Sequence, residues 1–252
     1  MRLKSDDCTA SPTRRDSGTT RDTLATPVST ELRFQATNSS GEVSALLDLP
    51  SEATAVYVLG HGAGAGMRHP FMATMAQRLS ERGIGTFRYQ FPYLEQGKKR
   101  PGPAVVDQKT VRSAVAAVGE HTSLPILAGG KSYGGRMTGY AAADGGLEGV
   151  VGLVFLGFPL HAPGRDNTDR WEPMTRVEMP MLFLQGTRDS LAKLDLLEPV
   201  VEALRPAATL HVVDGGDHSF RTPKRLGRSQ DQIFDELADA IAQWIVERLL
   251  EA

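Results

Sequence analysis

The chain has 252 residues, 40% of them hydrophobic and 23% charged, the balance of a globular domain long enough to bury a substantial core. A formal charge of -2 and a pI near 6.3 lack the positive field that phosphate binding needs, so no nucleic-acid partner is expected. A single cysteine, Cys8, excludes an intrachain disulfide, and no run approaches the ~20 apolar residues of a membrane span; the expected compartment is the cytosol.

Residues 1–28 are rich in Ser, Thr, Asp and Arg and poor in large apolar side chains. Such a stretch cannot offset the entropy cost of ordering and reads as a disordered tail. Arg14-Arg15 has no apolar segment after it, so no export signal is read there. Residues 29–252 read as one domain. ELRFQA (31–36) and VSALLDL (43–49) flank a turn with Asn38 and Gly41, which predicts an antiparallel hairpin. AVYVLG (55–60) is a continuous apolar run ending in glycine, the pattern of a strand covered on both faces. Phe71, Met72, Met75, Ala76 and Leu79 then repeat at helical spacing, with Gly83 as the stop. IGTFRY (84–89) predicts a strand, and 105–118 a helix burying Val111, Val115 and Val118.

The alternation continues with strands at 125–130, 150–157, 181–186 and 208–213 and helices at 136–143 and 194–205. Residues 230–252 form an amphipathic pattern with Ile233, Leu237, Ile241, Trp244, Ile245 and Leu249 on one face. Strands alternating with helices predict an α/β fold, with a mostly parallel central sheet and helices on both faces. The final helix has the sheet to pack on, so the sequence gives no sign of oligomeric state.

The sharpest motif is Gly130-Lys131-Ser132-Tyr133-Gly134-Gly135, between an apolar strand and a helix. A G-x-S-x-G pattern alone is weak in a chain with 26 glycines; its context carries the weight. A tight strand-to-helix turn lifts the serine side chain clear, and crowding at positions two before and two after demands glycine. Ser132 is therefore the candidate nucleophile. A triad on such a sheet runs Ser, acid, His. Of the downstream histidines, His211 lies inside a predicted strand, while His161 precedes the acid candidates. His218 follows the 208–213 strand in the loop GGDHSF and is the candidate base. Asp189 follows the 181–186 strand and is the candidate acid, with Asp214 and Asp217 as rivals.

A second glycine-rich loop, His61-Gly62-Ala63-Gly64-Ala65-Gly66, ends the 55–60 strand. Its small residues allow close backbone approach, and the N–H groups of Ala63 and Tyr133 are the candidate oxyanion hole. The loop lacks the G-x-x-x-x-G-K-[ST] signature, so no nucleotide is expected. His61 is expected to orient the loop through hydrogen bonds. His61, Gly62, Gly64, Lys131, Arg136 and His161 are the candidate substrate-pocket residues. No metal or cofactor is expected, because His, Cys and carboxylates do not recur at ligand spacing.

GHGAGAG (60–66), FRYQFPY (87–93) followed by KKRPGP (98–103), GGKSYGGR (129–136), GFPLHAPG (157–164), FLQGTRD (183–189) and GGDHSF (215–220) together resemble one branch of the α/β-hydrolase superfamily. That branch holds small bacterial hydrolases of the dienelactone-hydrolase-like group, and its eukaryotic relatives include the testis-expressed protein Tex-thirty and a chromatin acetyltransferase complex subunit. The resemblance implies the α/β-hydrolase fold and a Ser132-Asp189-His218 triad. It also draws attention to Lys131, Arg136, Arg88, Phe91, Pro92, Tyr93, Arg100 and Pro101, either as packing or as an anion-recognising rim. Dienelactone hydrolases proper use a cysteine nucleophile, which this elbow lacks.

The expected chemistry is acyl transfer from a small ester or thioester to water, without cofactor. The segment 161–179 is polar and carries two prolines, so no large cap is expected and the site should be open and shallow. The competing reading from another class is a non-catalytic interaction module on a hydrolase scaffold.

Overall fold

A computed structural model describes residues 29–250, with side chains through Arg248. The tail expected at 1–28, Cys8 and the side chain of Leu249 lie outside the described residues.

The hairpin pairs β1 (Thr30–Thr37) antiparallel with β2 (Gly41–Asp48), and Gly41 takes the positive φ of its turn. β3 (Ala55–Gly60) is buried at every position, as its uninterrupted apolar run requires. After it come α1 (Pro70–Ser80), β4 (Ile84–Tyr89), a short α2 (Pro92–Glu95) and α3 (Ala104–Gly119). β5 (Ile126–Lys131) leads into α4 (Tyr133–Ala143), and β6 (Val150–Leu156) follows. β7 (Met181–Gly186), α5 (Leu194–Glu202), β8 (Ala208–Val213) and α6 (Gln230–Ile245) complete the set.

The eight strands form one sheet in the order β1-β2-β4-β3-β5-β6-β7-β8. β2 alone runs against the others; β3 through β8 pair in parallel. Period-two alternation sorts the strand side chains into two cores. Val56, Val58, Ala128, Phe155 and Phe183 face the layer of α3, α4 and α5. Tyr57, Leu59, Leu127, Val154 and Leu184 face α1 and α6. On α6 the predicted face, Ile233 to Ile245, is buried, and Ser229 and Gln232 close a capping box at its start.

Some boundaries differ from the sequence reading. α4 starts at Tyr133 rather than Arg136, because it begins directly after the serine turn. α5 ends at Glu202, three residues early, and α6 gives way to a wider π turn over Val246–Leu250. Segment 161–179 contains a 3-10 turn, Glu172–Arg176, and is less polar in effect than its composition: Trp171, Met174 and Val177 are buried against the core of α4. It forms no large cap. No helix among the described residues is long and apolar enough to cross a membrane.

Arg88 sits inside the sheet on β4, within the strand expected at 84–89, and pairs with Asp48 of β2 at 2.7 Å. Thr86 also donates to Asp48 at 3.2 Å, as does the Ser29 hydroxyl. This is a buried ion pair in a structural role, so Arg88 cannot form part of an anion-binding rim.

Candidate active site

The loops after β3, β5, β7 and β8 emerge at the carboxyl edge of the sheet, where parallel α/β sheets place their ligands. β5 ends at Lys131 and α4 begins at Tyr133, so Ser132 must reverse the chain in one residue. It does so at φ 51° and ψ -109°, a conformation that costs an L-residue about 1–3 kcal/mol. The neighbouring glycines make that turn possible. A Cβ on Gly130 would lie 2.2 Å from the carbonyl oxygen of Gly60, and one on Gly134 2.3 Å from the same carbonyl. β3 and the start of α4 therefore meet backbone to backbone.

His218, after β8, brings Nε2 to 2.8 Å from Ser132 Oγ. Its Nδ1 lies 2.7 Å from Asp189 Oδ2. With Nδ1–H donating to the carboxylate, Nε2 keeps its lone pair for the serine proton. Asp189 is buried, and two more donors fix it: Gln185 Nε2 on Oδ2 at 2.5 Å and the Leu191 N–H on Oδ1 at 2.8 Å. The rivals are elsewhere. Asp214 is exposed, and Asp217 accepts from the N–H groups of Ser219 and Arg221, closing its own turn. His211 faces Glu236 on the surface side of β8.

The glycine-rich loop lies beside the serine: a Cβ on Gly62 would be 4.0 Å from Ser132 Cβ. Ala63 lines the cavity next to Ser132, and Tyr133 is the first residue of α4, whose N–H has no intrahelical acceptor. The Tyr133 ring points the other way, its hydroxyl donating to buried Asp107 at 2.6 Å. Burial raises the Asp107 carboxyl above its ordinary range, the tyrosine bond only partly opposing this.

The six candidate pocket residues part company. Gly62 and Lys131 line the cavity with Ser132 and His218. His61 does not; it is fully buried beneath the loop, packed on Phe91 and Tyr93. Its Nδ1 donates to the Gly62 carbonyl at 2.8 Å, and its Nε2 accepts from the Phe91 N–H at 3.2 Å. Burial pushes its pKa down to about 4, so the ring is neutral, with the Gly62 carbonyl opposing the shift. Gly64 turns away and donates its N–H to the Tyr93 hydroxyl at 2.9 Å. Arg136 stacks over the rings of Tyr133 and Tyr140, and His161 is buried behind the Leu191 loop. None of these four lines the cavity; each is held away from it by the contacts just named.

The cavity measures about 440 Å³. Its wall is mostly apolar, from Phe71 and Met72 of α1 and Phe234 of α6, with His69 and Arg221 at the rim. These residues were not legible as a site. Phe71 and Met72 carry only the helical-core signal, and nothing in the sequence tells that the start of α1 packs against the start of α6, Phe71 on Phe234, beside Ser132. Segment 161–179 contributes nothing to this wall.

The sequence pattern of the alpha/beta hydrolase domain family matches residues 53–246. Among solved structures, a dienelactone hydrolase from Anabaena variabilis is similar with a TM-score of 0.70 and 19% identity, over 89% of this chain and 100% of that one. A lid-less α/β serine hydrolase from Xanthomonas campestris gives 0.67 and 21%, over 89% and 96%. An esterase domain from Rhodothermus marinus gives 0.64 and 16%, over 87% and 98%. These identities speak for the shared fold, and the match over 53–246 assigns the chain to a family: it belongs to the alpha/beta hydrolases.

Proposed function

We propose that this protein is a serine hydrolase that cleaves an ester or thioester of a small molecule through Ser132, His218 and Asp189. The observation that carries this reading is the continuous relay of short contacts, 2.8 Å from Ser132 Oγ to His218 Nε2 and 2.7 Å from Nδ1 to Asp189. His218 takes the serine proton as Oγ attacks the carbonyl carbon. The N–H groups of Ala63 and Tyr133 receive the developing oxyanion. The imidazolium, stabilised by Asp189, protonates the leaving alcohol or thiol, and an acyl group remains on Ser132. Water, deprotonated by His218, then releases the acid. Esterase and serine-hydrolase names among the structural neighbours are in keeping with this chemistry.

A cavity of about 440 Å³ with Phe71, Met72 and Phe234 in its wall supports a short or aromatic acyl group. It supports long acyl chains poorly, since no cap encloses them. The likeness to Tex-thirty and the chromatin-complex subunit rests on sequence motifs alone. It supplies the competing reading, a scaffold that serves protein contact in place of catalysis.

The test is labelling with a fluorophosphonate. Labelling of wild type that disappears in Ser132→Ala is the expected result. A folded wild type that takes no label would favour the interaction module. Among catalytic proteins, a preference for long-chain over short-chain esters would overturn the substrate class.

A further inference from the structure

Lys131 is the residue before the candidate nucleophile, and it is buried. It does not reach outward. Nζ donates to the backbone carbonyl of His218 at 2.6 Å and lies 5.8 and 5.5 Å from the ring centres of Phe71 and Phe220. Phe220 is itself held at φ 58°, the only non-glycine besides Ser132 with a positive φ among the described residues. That strained turn is what brings its ring under the ammonium. The space for the ammonium comes from Gly157, after β6. A Cβ there would lie 2.9 Å from Lys131 Nζ, 3.5 Å from Asp189 Oδ2 and 3.6 Å from the His218 carbonyl oxygen.

The rest of the His218 loop is anchored around the histidine rather than at it. Arg188 N–H holds Gly216, Thr187 holds Gly215, and Asp217 holds Ser219 and Arg221. The bond from Lys131 is the one that fixes the His218 backbone itself. Because Lys131 is covalently next to Ser132, it closes a short circuit: strand β5, ammonium, histidine carbonyl, imidazole, serine hydroxyl.

We infer that Lys131 is a positioning residue for the proposed triad, its charged side chain clamping the loop of the base to the strand of the nucleophile, and that the clamp loosens when the ammonium gives up its proton. This rests on the serine-hydrolase reading above. The groups facing the ammonium are the carboxylates of Asp189 and Asp217, the His218 residue it bonds, and the rings of Phe71 and Phe220. Burial brings the lysine down to a pKa of about 8, against the pull of the two carboxylates. The change therefore falls in an accessible range. A charge-assisted hydrogen bond becomes a weaker neutral one there.

The experiment follows the rate constant of fluorophosphonate labelling from about pH 7 to about pH 10 in wild type, Lys131→Arg and Lys131→Met. Wild type is expected to slow as pH rises through about 8. Lys131→Arg, which stays charged, is expected to hold a level rate. Lys131→Met is expected to be about tenfold slower at neutral pH and level above it. A level wild-type profile, or a methionine variant as fast as wild type with the same alkaline decline, would overturn the proposal while leaving the triad intact. Absence of label in folded wild type at every pH is the separate failure, that of the hydrolase reading. If Lys131→Met does not fold, the wild-type and arginine profiles decide the question.

Discussion

Replacing His61 by glutamine isolates one buried titration. The ring is fully buried, donates from Nδ1 to Gly62 and accepts at Nε2 from the Phe91 N–H. Burial of the charged ring is the main cost of protonation, opposed by the Gly62 carbonyl and reinforced by His69, and the pKa falls from 6.5 in the open chain to about 4 in the fold. The unfolded state thus binds more protons between those values, and stability rises with pH through that window. The contribution is fully present above about pH 6.5 and is lost as pH falls toward 4; at 1.36 kcal/mol per unit it amounts to about 3 kcal/mol. Glutamine can accept and donate as the neutral ring does, but it does not titrate. Urea unfolding at pH 7, 5.5 and 4.5 is the assay. His61→Gln is expected to be less stable than wild type by about 1–2 kcal/mol at pH 7 and to lose that deficit, or reverse it, by pH 4.5. Parallel stability–pH curves for the two proteins would refute the claim that His61 is held neutral beneath the loop.

Three further substitutions probe other parts of the frame. Gly134→Ala drives a methyl to 2.3 Å from the Gly60 backbone, which cannot yield without shifting β3; a loss of at least about 3 kcal/mol in thermal or urea unfolding is expected, together with loss of labelling. Arg88→Met leaves Asp48 buried without its cation and should cost about 3–5 kcal/mol in urea unfolding, most of it recovered when Asp48→Leu is added. Asp189→Asn keeps the shape of the site but removes the charge that holds the His218 tautomer; a fall in kcat of about 10⁴-fold is expected for an activated ester, with little change in KM.

The parts of this molecule legible in its sequence are those that local rules decide. Strand β3 declares itself because six consecutive buried positions need an unbroken apolar run. The turn at Ser132 does so because Gly130 and Gly134 have no alternative beside the Gly60 backbone. Chain order selects His218 and Asp189 as candidates, and their meeting depends on β5, β7 and β8 ending at one edge. What local rules do not decide is which side of a loop a polar residue takes. His61 and Gly64 belong to a loop that borders the site, yet one lies under it and the other turns to Tyr93. Arg88 is open between packing and an anion-recognising rim until the register of β2 against β4, with Asp48 opposite Thr86, brings the carboxylate within reach of its guanidinium. Trp171, Met174 and Val177 stand three residues apart, the period of a 3-10 turn, but the run is short and set among charged residues, so a segment that packs against α4 reads as a polar loop.

In the proposed mechanism Ser132 carries an acyl group during turnover. Intact-mass and peptide-mapping measurements on protein quenched during hydrolysis of an activated acetate ester test it directly. One acetyl group is expected on Ser132, transient in wild type and absent in Ser132→Ala. Turnover with no adduct on Ser132, or acetyl found only on surface lysines or Cys8, would contradict it.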